Sequence, residues 1–210
     1  MKKRIAQYLL GIIIICYGVA SIISARIGTS AADAINTNVS YLTPLTVGQS
    51  IGIMSVVFVL LSLLFKRKLI ILVSLVFVFI LTPGIDFFFY KVIEVYYPTD
   101  LWFRILNFAI GVLLVNLGTS LTIVSKLPLT PYDQFTMMMV ELTKKPLIVI
   151  RFSLEFTLLI IGVILGIRSG YLNETVSIGT VIFALSGAPL IRLFVFLLNG
   201  GKKHVNQQTN

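Results

Sequence analysis

A chain of 210 residues that is 57% hydrophobic and only 12% charged cannot hide its apolar surface in a soluble fold, where about a quarter of residues carry charge. Its 17 Lys and Arg against 8 Asp and Glu gather in short clusters between apolar runs, which is the positive-inside pattern of a membrane protein and not a nucleic-acid footprint. A single cysteine, Cys16, excludes an internal disulfide.

Met1-Lys2-Lys3-Arg4 followed by the apolar run 5–24 has the outline of a signal peptide. The run is long for a signal core, and its pattern returns at 107–125, so it is read as a first membrane helix. Behind Arg26, Ser30-Ala-Ala-Asp33 has the spacing of an N-cap followed by an acid three residues on, and predicts a short helix over 30–41. That helix is too short to span and is expected to be re-entrant or interfacial. Further spans are predicted at 47–65, ending at Lys66-Arg67-Lys68, and at 69–89, with Pro83-Gly84 and Asp86 near the far end. Tyr96-Tyr97-Pro98-Thr99-Asp100 is a polar, aromatic connector between halves. Spans at 105–125, 147–167 and 176–198 follow, with a second short helix over 131–142 and a polar tail over 200–210.

The chain echoes itself at one hundred residues. Arg26-Ile-Gly-Thr-Ser-Ala-Ala-Asp33 returns as Lys126-Leu-Pro-Leu-Thr-Pro-Tyr-Asp133, and Gly11, Gly18, Ile23, Leu42 and Thr43 fall on Gly111, Gly118, Ile123, Leu142 and Thr143. With Asp33 on Asp133 these are six identities in 33 columns, where roughly two or three are expected from such biased composition. The fold expected is therefore all-α and polytopic, one membrane domain of about six transmembrane helices. Its halves, about 5–93 and 104–199, each hold three spans and one short helix. An odd number of spans per half inverts the second relative to the first.

Placing both termini in the cytoplasm puts eleven bases inside (Lys2, Lys3, Arg4, Lys66, Arg67, Lys68, Lys126, Lys144, Lys145, Lys202, Lys203), four outside (Arg26, Lys91, Arg104, Arg168) and two at or within helices (Arg151, Arg192), which makes the seventeen. Parallel repeats, with the short helices crossing fully, are the weaker alternative because those helices are polar.

The glycine-spaced first helix, the stretch ending in Asp33, Leu42-Thr43-Pro-Leu-Thr-Val-Gly48 and the basic loop behind it together resemble the bacterial YczE/YyaS/YitT group of multi-pass membrane proteins. In that group a Leu-Gly-x-x-x-Trp-Asp stretch precedes a Thr-x-Gly at the next helix start. Here Ala32 replaces the aromatic before Asp33, Tyr132 keeps one before Asp133, and the second half has Pro146-Leu147-Ile148 where the first has Thr46-Val47-Gly48. The resemblance implies a plasma-membrane protein and brings no substrate with it.

The residues offer little to an enzyme. The only histidine, His204, is in the tail, and no Gly-x-Ser-x-Gly or P-loop occurs. Asp86 and Asp133 as a facing carboxylate pair would require opposite ends of the bundle to meet. Neither cofactor nor metal is expected. Intramembrane charges carry more weight. Arg151 and Glu155, four apart, are expected to share a helix face and can pair. Read structurally they are an interhelical pair, with Arg192 snorkelling to the inner edge; read functionally, Glu155 couples transport to a proton or ion. Asp33 and Asp133 either cap short helices, with Arg26 and Lys126 marking the bilayer edge, or stand where paired helix N-termini meet a substrate. Asn107, Asn116, Gln49 and Tyr17 either line a polar path or serve as interhelical glue. Gly11, Gly18, Gly111 and Gly118 are expected to let the first and fourth spans approach closely. The function expected is a small secondary transporter or exporter, partnered by the bilayer and a small molecule or ion. The alternative is a non-transporting accessory protein that stabilises a membrane partner or a homo-oligomer.

Overall fold

The computed structural model describes residues 2–65, 74–93, 100–127 and 130–199, and the regular structure among these described residues is all helical. Its elements are α1 (Lys2–Ala25), α2 (Ala31–Leu42), α3 (Val47–Phe65), α4 (Ser74–Phe87) with a π-helical continuation (Phe88–Ile93), α5 (Leu101–Ser125), α6 (Pro131–Thr143), α7 (Leu147–Ser169), the one-turn α8 (Leu172–Thr175) and α9 (Ile178–Leu198). Among the described residues, six helical stretches are long and apolar enough to cross a bilayer: α1, α3, α4 with its continuation, α5, α7, and α8 with α9. This is the architecture of a polytopic membrane protein. Helices α2 and α6, of 12 and 13 residues, reach only about 20 Å and cannot cross. The cluster 66–68, the expected helix start at 69–73, most of the connector 96–100 and the tail 200–210 lie outside the described residues.

Several boundaries differ from the sequence reading, and three of the differences have a clear local cause. The third span runs past Phe89 as a π-helical turn to Ile93, downstream of Pro83, whose missing N–H already breaks the regular ladder. Helix α5 starts at Leu101, because Leu101-Trp102-Phe103 continues the apolar run behind Asp100. The long helix of the last span, α9, starts at Ile178 and not at 176, since Ser177 and Thr180 form a capping box there.

The main elements recur at the hundred-residue interval: α1 and α5 end at Ala25 and Ser125, α2 and α6 begin at Ala31 and Pro131, and α3 and α7 begin at Val47 and Leu147. Backbone conformation recurs too. Arg26 and Lys126 both take the left-handed region, at φ 52° and 58°, which is uncommon for residues with a Cβ and typical of a helix C-terminus.

Packing centres on α1 against α5. A Cβ on Gly11 would stand 2.8 Å from the Gly118 carbonyl oxygen, and one on Gly118 would stand 2.6 Å from that of Gly11. Gly18 and Gly111 meet in the same reciprocal way, at 3.0 and 2.8 Å. Residue 11 opposite 118 and 18 opposite 111 means that the two helices run antiparallel. In lipid, where apolar surface gains little by leaving its solvent, such backbone-to-backbone contact is what holds helices together. Polar groups close the seam at one end. Arg104 donates to the carbonyls of Ala25 (2.7 Å) and Arg26 (2.6 Å), and the Asn107 amide donates to Ser21 O and Ser24 Oγ. Around this pair, Tyr8, Ile12, Cys16, Phe77 and Ile85 form one core with α4, and Ile22, Phe108 and Val112 form another with α9.

Helix α3 is fastened to α4 by a carboxylate. Thr46 and Gln49 form a capping box: the Gln49 N–H donates to Thr46 Oγ1 (3.1 Å) and the Thr46 N–H to Gln49 Oε1 (3.0 Å). Asp86 completes it, accepting from Thr46 Oγ1 (2.5 Å) and the Gly48 N–H (2.7 Å). Position 48 must lack a side chain, because a Cβ there would collide with the Thr82 carbonyl and the Asp86 carboxylate. Asp86→Ala is expected to lower stability by about 3 kcal/mol, since both donors lose a charged acceptor. Asp86→Asn should cost less than half as much. Thermal unfolding in detergent checks both values, and equal melting of wild type and Asp86→Ala would remove the fastening role.

Candidate functional site

The short helices α2 and α6 carry their polar chemistry at their N-termini, built alike from similar sequence. Ser30 Oγ accepts from the Asp33 N–H (3.0 Å) and donates to Asp33 Oδ2 (2.6 Å). Thr130 Oγ1 accepts from the Asp133 N–H (3.1 Å) and donates to Asp133 Oδ2 (2.9 Å). The hydroxyls do the capping. The carboxylates were expected to accept from backbone N–H groups; each instead accepts from its capping hydroxyl, which leaves Oδ1 to look elsewhere.

For Asp133 that partner is on α7. Arg151 Nη2 lies 3.9 Å from Asp133 Oδ1, with the two side chains 50% and 29% exposed. The expected Arg151–Glu155 salt bridge gives way to this one: both residues share an α7 face and the Arg151 charge still acts on Glu155, but the closer guanidinium contact is with Asp133. Glu155 accepts from the Tyr132 hydroxyl at 3.1 Å. Tyr132 is held by Phe58 of α3, edge to face with centroids 5.4 Å apart. Burial, followed by the negative charge of Glu155, raises the Tyr132 phenol's affinity for its proton, so at neutral pH it is an O–H donor.

The α2 terminus comes to the same place. Burial pushes the Asp33 carboxyl up to about 6, the Ser30 hydrogen bond opposes this, and the charge of Glu155 adds to it. An apolar collar surrounds the cluster: Ala31 and Ile35 of α2, Phe58 of α3, Phe135 and Met138 of α6, and Leu158 of α7. Asp33, Asp133, Arg151, Glu155 and Tyr132 thus form one half-buried group, in which three carboxyls face one guanidinium. Because folded Asp33 holds its proton to higher pH than its ordinary value of 3.8, the stability it contributes is present below about 4 and falls as pH rises to about 6. Asp33→Asn should flatten that slope, by up to about 3 kcal/mol across the window. Melting curves between pH 4 and 7 measure it, and identical profiles for both proteins would contradict the assignment.

Other residues named from the sequence lie elsewhere. Arg26 pairs with Glu174 at 3.4 Å, beside the backbone bonds from Gly28 N to Glu174 O and from Thr29 N to Thr175 O. Lys126 closes the end of α5 through its N–H to Ile123 O. Arg192 is exposed on α9, which packs on α5 and not on the cluster. Asn107 bridges α5 to α1, Asn116 donates to Val112 O in its own helix, and Gln49 caps α3. Tyr17 stacks edge to face on Phe88.

Two sets of residues had not been singled out as site residues. Tyr132 had a signal, since it stands directly before Asp133 in a helix-start motif. A second polar seam joins α2 to α7 and α8: Asn38 donates to Gly162 O and Thr175 Oγ1 and accepts from Ser169 Oγ. Its signal was the polar run Asn36-Thr37-Asn38 in mid-helix, all of it buried.

A family model described as a family of unknown function, DUF6198, matches residues 2–195. The chain belongs to DUF6198. A relative, the uncharacterized protein YyaS of Bacillus subtilis, is 29% identical over 188 residues and is covered over 90% of each chain, in agreement with the resemblance read from the motifs. No solved structure matches. In this DUF6198 protein the Thr-x-Gly motif has a physical meaning: Thr46 caps α3, and Gly48 lets Asp86 reach it. In the second half Pro146-Leu147-Ile148 lacks both the capping hydroxyl and the bare backbone, so α7 has no equivalent fastening at that position.

Proposed function

We propose that this protein is a small secondary transporter or exporter of the bacterial plasma membrane, not an enzyme, built from two inverted repeats with both termini in the cytoplasm. The exchanged contacts support the inversion. Gly11 on Gly118 and Gly18 on Gly111 are one contact made twice, as a two-fold axis across antiparallel helices requires. Crosswise packing agrees with it, α2 lying on α7 and α6 on α3.

The observation that carries transport is the convergence of two half-length helices, by their N-termini, on Arg151 and Glu155 of a spanning helix. Charges inside a membrane domain are costly and mark pathways, and broken helices meeting between repeats are the usual form of a transporter site. Three carboxyls against one guanidinium favour a cation or a proton-coupled solute over an anion. The test is flux into proteoliposomes across a panel of amines, metal cations, amino acids and organic acids, with and without a pH gradient. Saturable uptake of a cationic solute, or uptake driven by the gradient, is expected. Absence of flux for every class, together with a co-purifying membrane partner, would favour the accessory reading instead.

A further inference from the structure

We propose that Ser62 of α3 and Gln134 of α6 form a latch. Unjoined in this conformation, they pair by a hydrogen bond when α6 closes on α3, and so make the cytoplasmic gate of the pathway. The gating role rests on the transport reading above; the latch itself rests on how the two short helices pack.

Those helices pack alike but not equally. Helix α2 runs along α7 with Ala34 against Gly162, where a Cβ at 162 would stand 3.3 Å from that of Ala34. One turn on, Asn38 fastens the seam, donating to Gly162 O (3.4 Å) and Thr175 Oγ1 (3.0 Å). Helix α6 runs along α3 in matching register, Phe58 meeting Tyr132 and Phe135 with ring centroids 5.4 and 5.5 Å apart. Ile35 with Phe135, and Phe58 with Leu158, are hundred-residue counterparts in one apolar core. Moved by that interval, the Ala34–Gly162 contact becomes Gln134 and Ser62, and Asn38 becomes Met138. Methionine has no hydrogen-bond donor, so the α3–α6 seam lacks the fastening that its counterpart has at that place.

Two shielded polar atoms stand there without partners. Neither Ser62 Oγ nor Gln134 Oε1 has a hydrogen-bond partner among the described residues. Other helical hydroxyls share that condition, Ser21, Thr37 and Ser50 among them. Ser62 differs because the register sets a complementary group opposite it: Gln134 carries the one shielded, unpartnered amide oxygen among the described residues. Leaving both unpaired is costly, and a single hydroxyl-to-amide hydrogen bond relieves both. Phe58, one turn before Ser62, already meets α6, so only a small approach remains to be made. With both termini in the cytoplasm, the fastened α2–α7 seam lies toward the outside and the unfastened α3–α6 seam toward the inside. That is an inward-facing arrangement, and alternation exchanges the roles of the two seams.

The test builds Ser62→Cys with Gln134→Cys, and Ala34→Cys with Gly162→Cys, in the Cys16→Ala background, and oxidises each in proteoliposomes. The Ala34/Gly162 pair, close to the Cβ separation of about 3.8 Å in a disulfide, should cross-link rapidly. The Ser62/Gln134 pair should cross-link at least tenfold more slowly. Its disulfide should then lower uptake across the panel of amines, metal cations, amino acids and organic acids at least tenfold, with recovery on reduction. Ser62→Ala and Gln134→Leu should melt no lower than wild type, because the bond is not made at rest, yet each should reduce flux severalfold and the double variant no further. No disulfide at 62 and 134, formation as fast as at 34 and 162, or full flux with the disulfide in place would overturn the proposal. If the cysteine pair misfolds, Ser62→Ala decides: a lowered melting temperature would mean a bond already made at rest, and would overturn it equally. Slow cross-linking in a protein that moves no solute would sustain the latch and refute transport.

Discussion

Gly118→Leu should prevent accumulation of folded protein, while Gly187→Ala should leave it unchanged. At position 118 a side chain must fit where the Gly11 carbonyl would be 2.6 Å from its first carbon and Ile15 Cγ1 2.7 Å. Neither obstacle can yield, because both belong to the buried face of α1. Overpacking in a core costs about 1–3 kcal/mol where side chains can move, and here backbone would have to move, separating α1 from α5. Losing that contact removes the most extensive attachment between the halves, leaving chiefly the crosswise packing of α2 on α7 and α6 on α3. Gly187 has only Asn116 Oδ1 nearby, at 3.7 Å, so a methyl fits. Size-exclusion profiles and melting temperatures in detergent distinguish the two. A well-folded Gly118→Leu protein would mean that the seam is not the principal contact.

Glu155→Gln is expected to leave the fold intact and to abolish gradient-driven flux, by at least about 100-fold. The amide still offers an oxygen to the Tyr132 hydroxyl, so packing survives, but the negative charge beside Asp33 and Asp133 is gone. Glu155→Leu removes the acceptor as well, leaving the buried phenol unpartnered at a cost of about 1–3 kcal/mol. The comparison separates charge from structure. Loss of flux in Gln with unchanged melting assigns the charge to coupling, whereas full flux in both variants would dismiss the cluster as a pathway.

Much of the fold was legible because its signals are local. The hundred-residue echo located both short helices to within a residue, since Ser30 and Thr130 are helix-capping side chains with an acid three positions on, and such caps act over one turn. Glycines seven apart announced a close helix face, although only three-dimensional packing pairs Gly11 with Gly118 in preference to Gly111. What the sequence could not show was who meets whom across the bundle. Arg151 and Glu155 sit four apart and look like partners, yet each finds a better-placed group on α6. Asp86 carries no local sign of its partners, the Thr46 hydroxyl and the Gly48 N–H, which stand 40 and 38 residues away. Long-range hydrogen bonds of this kind have no periodicity to betray them.

The central claim is that α2 and α6 enter from opposite faces and meet by their N-termini. Single cysteines at Thr43 and Thr143, in a Cys16→Ala background, test it directly. Both threonines are exposed, at or beside the C-terminal ends of the two short helices. In intact cells a membrane-impermeant maleimide should label position 43 and spare position 143, and in inverted vesicles the pattern should reverse. Labelling of both positions from the same side would contradict the inverted arrangement and the transport reading built upon it.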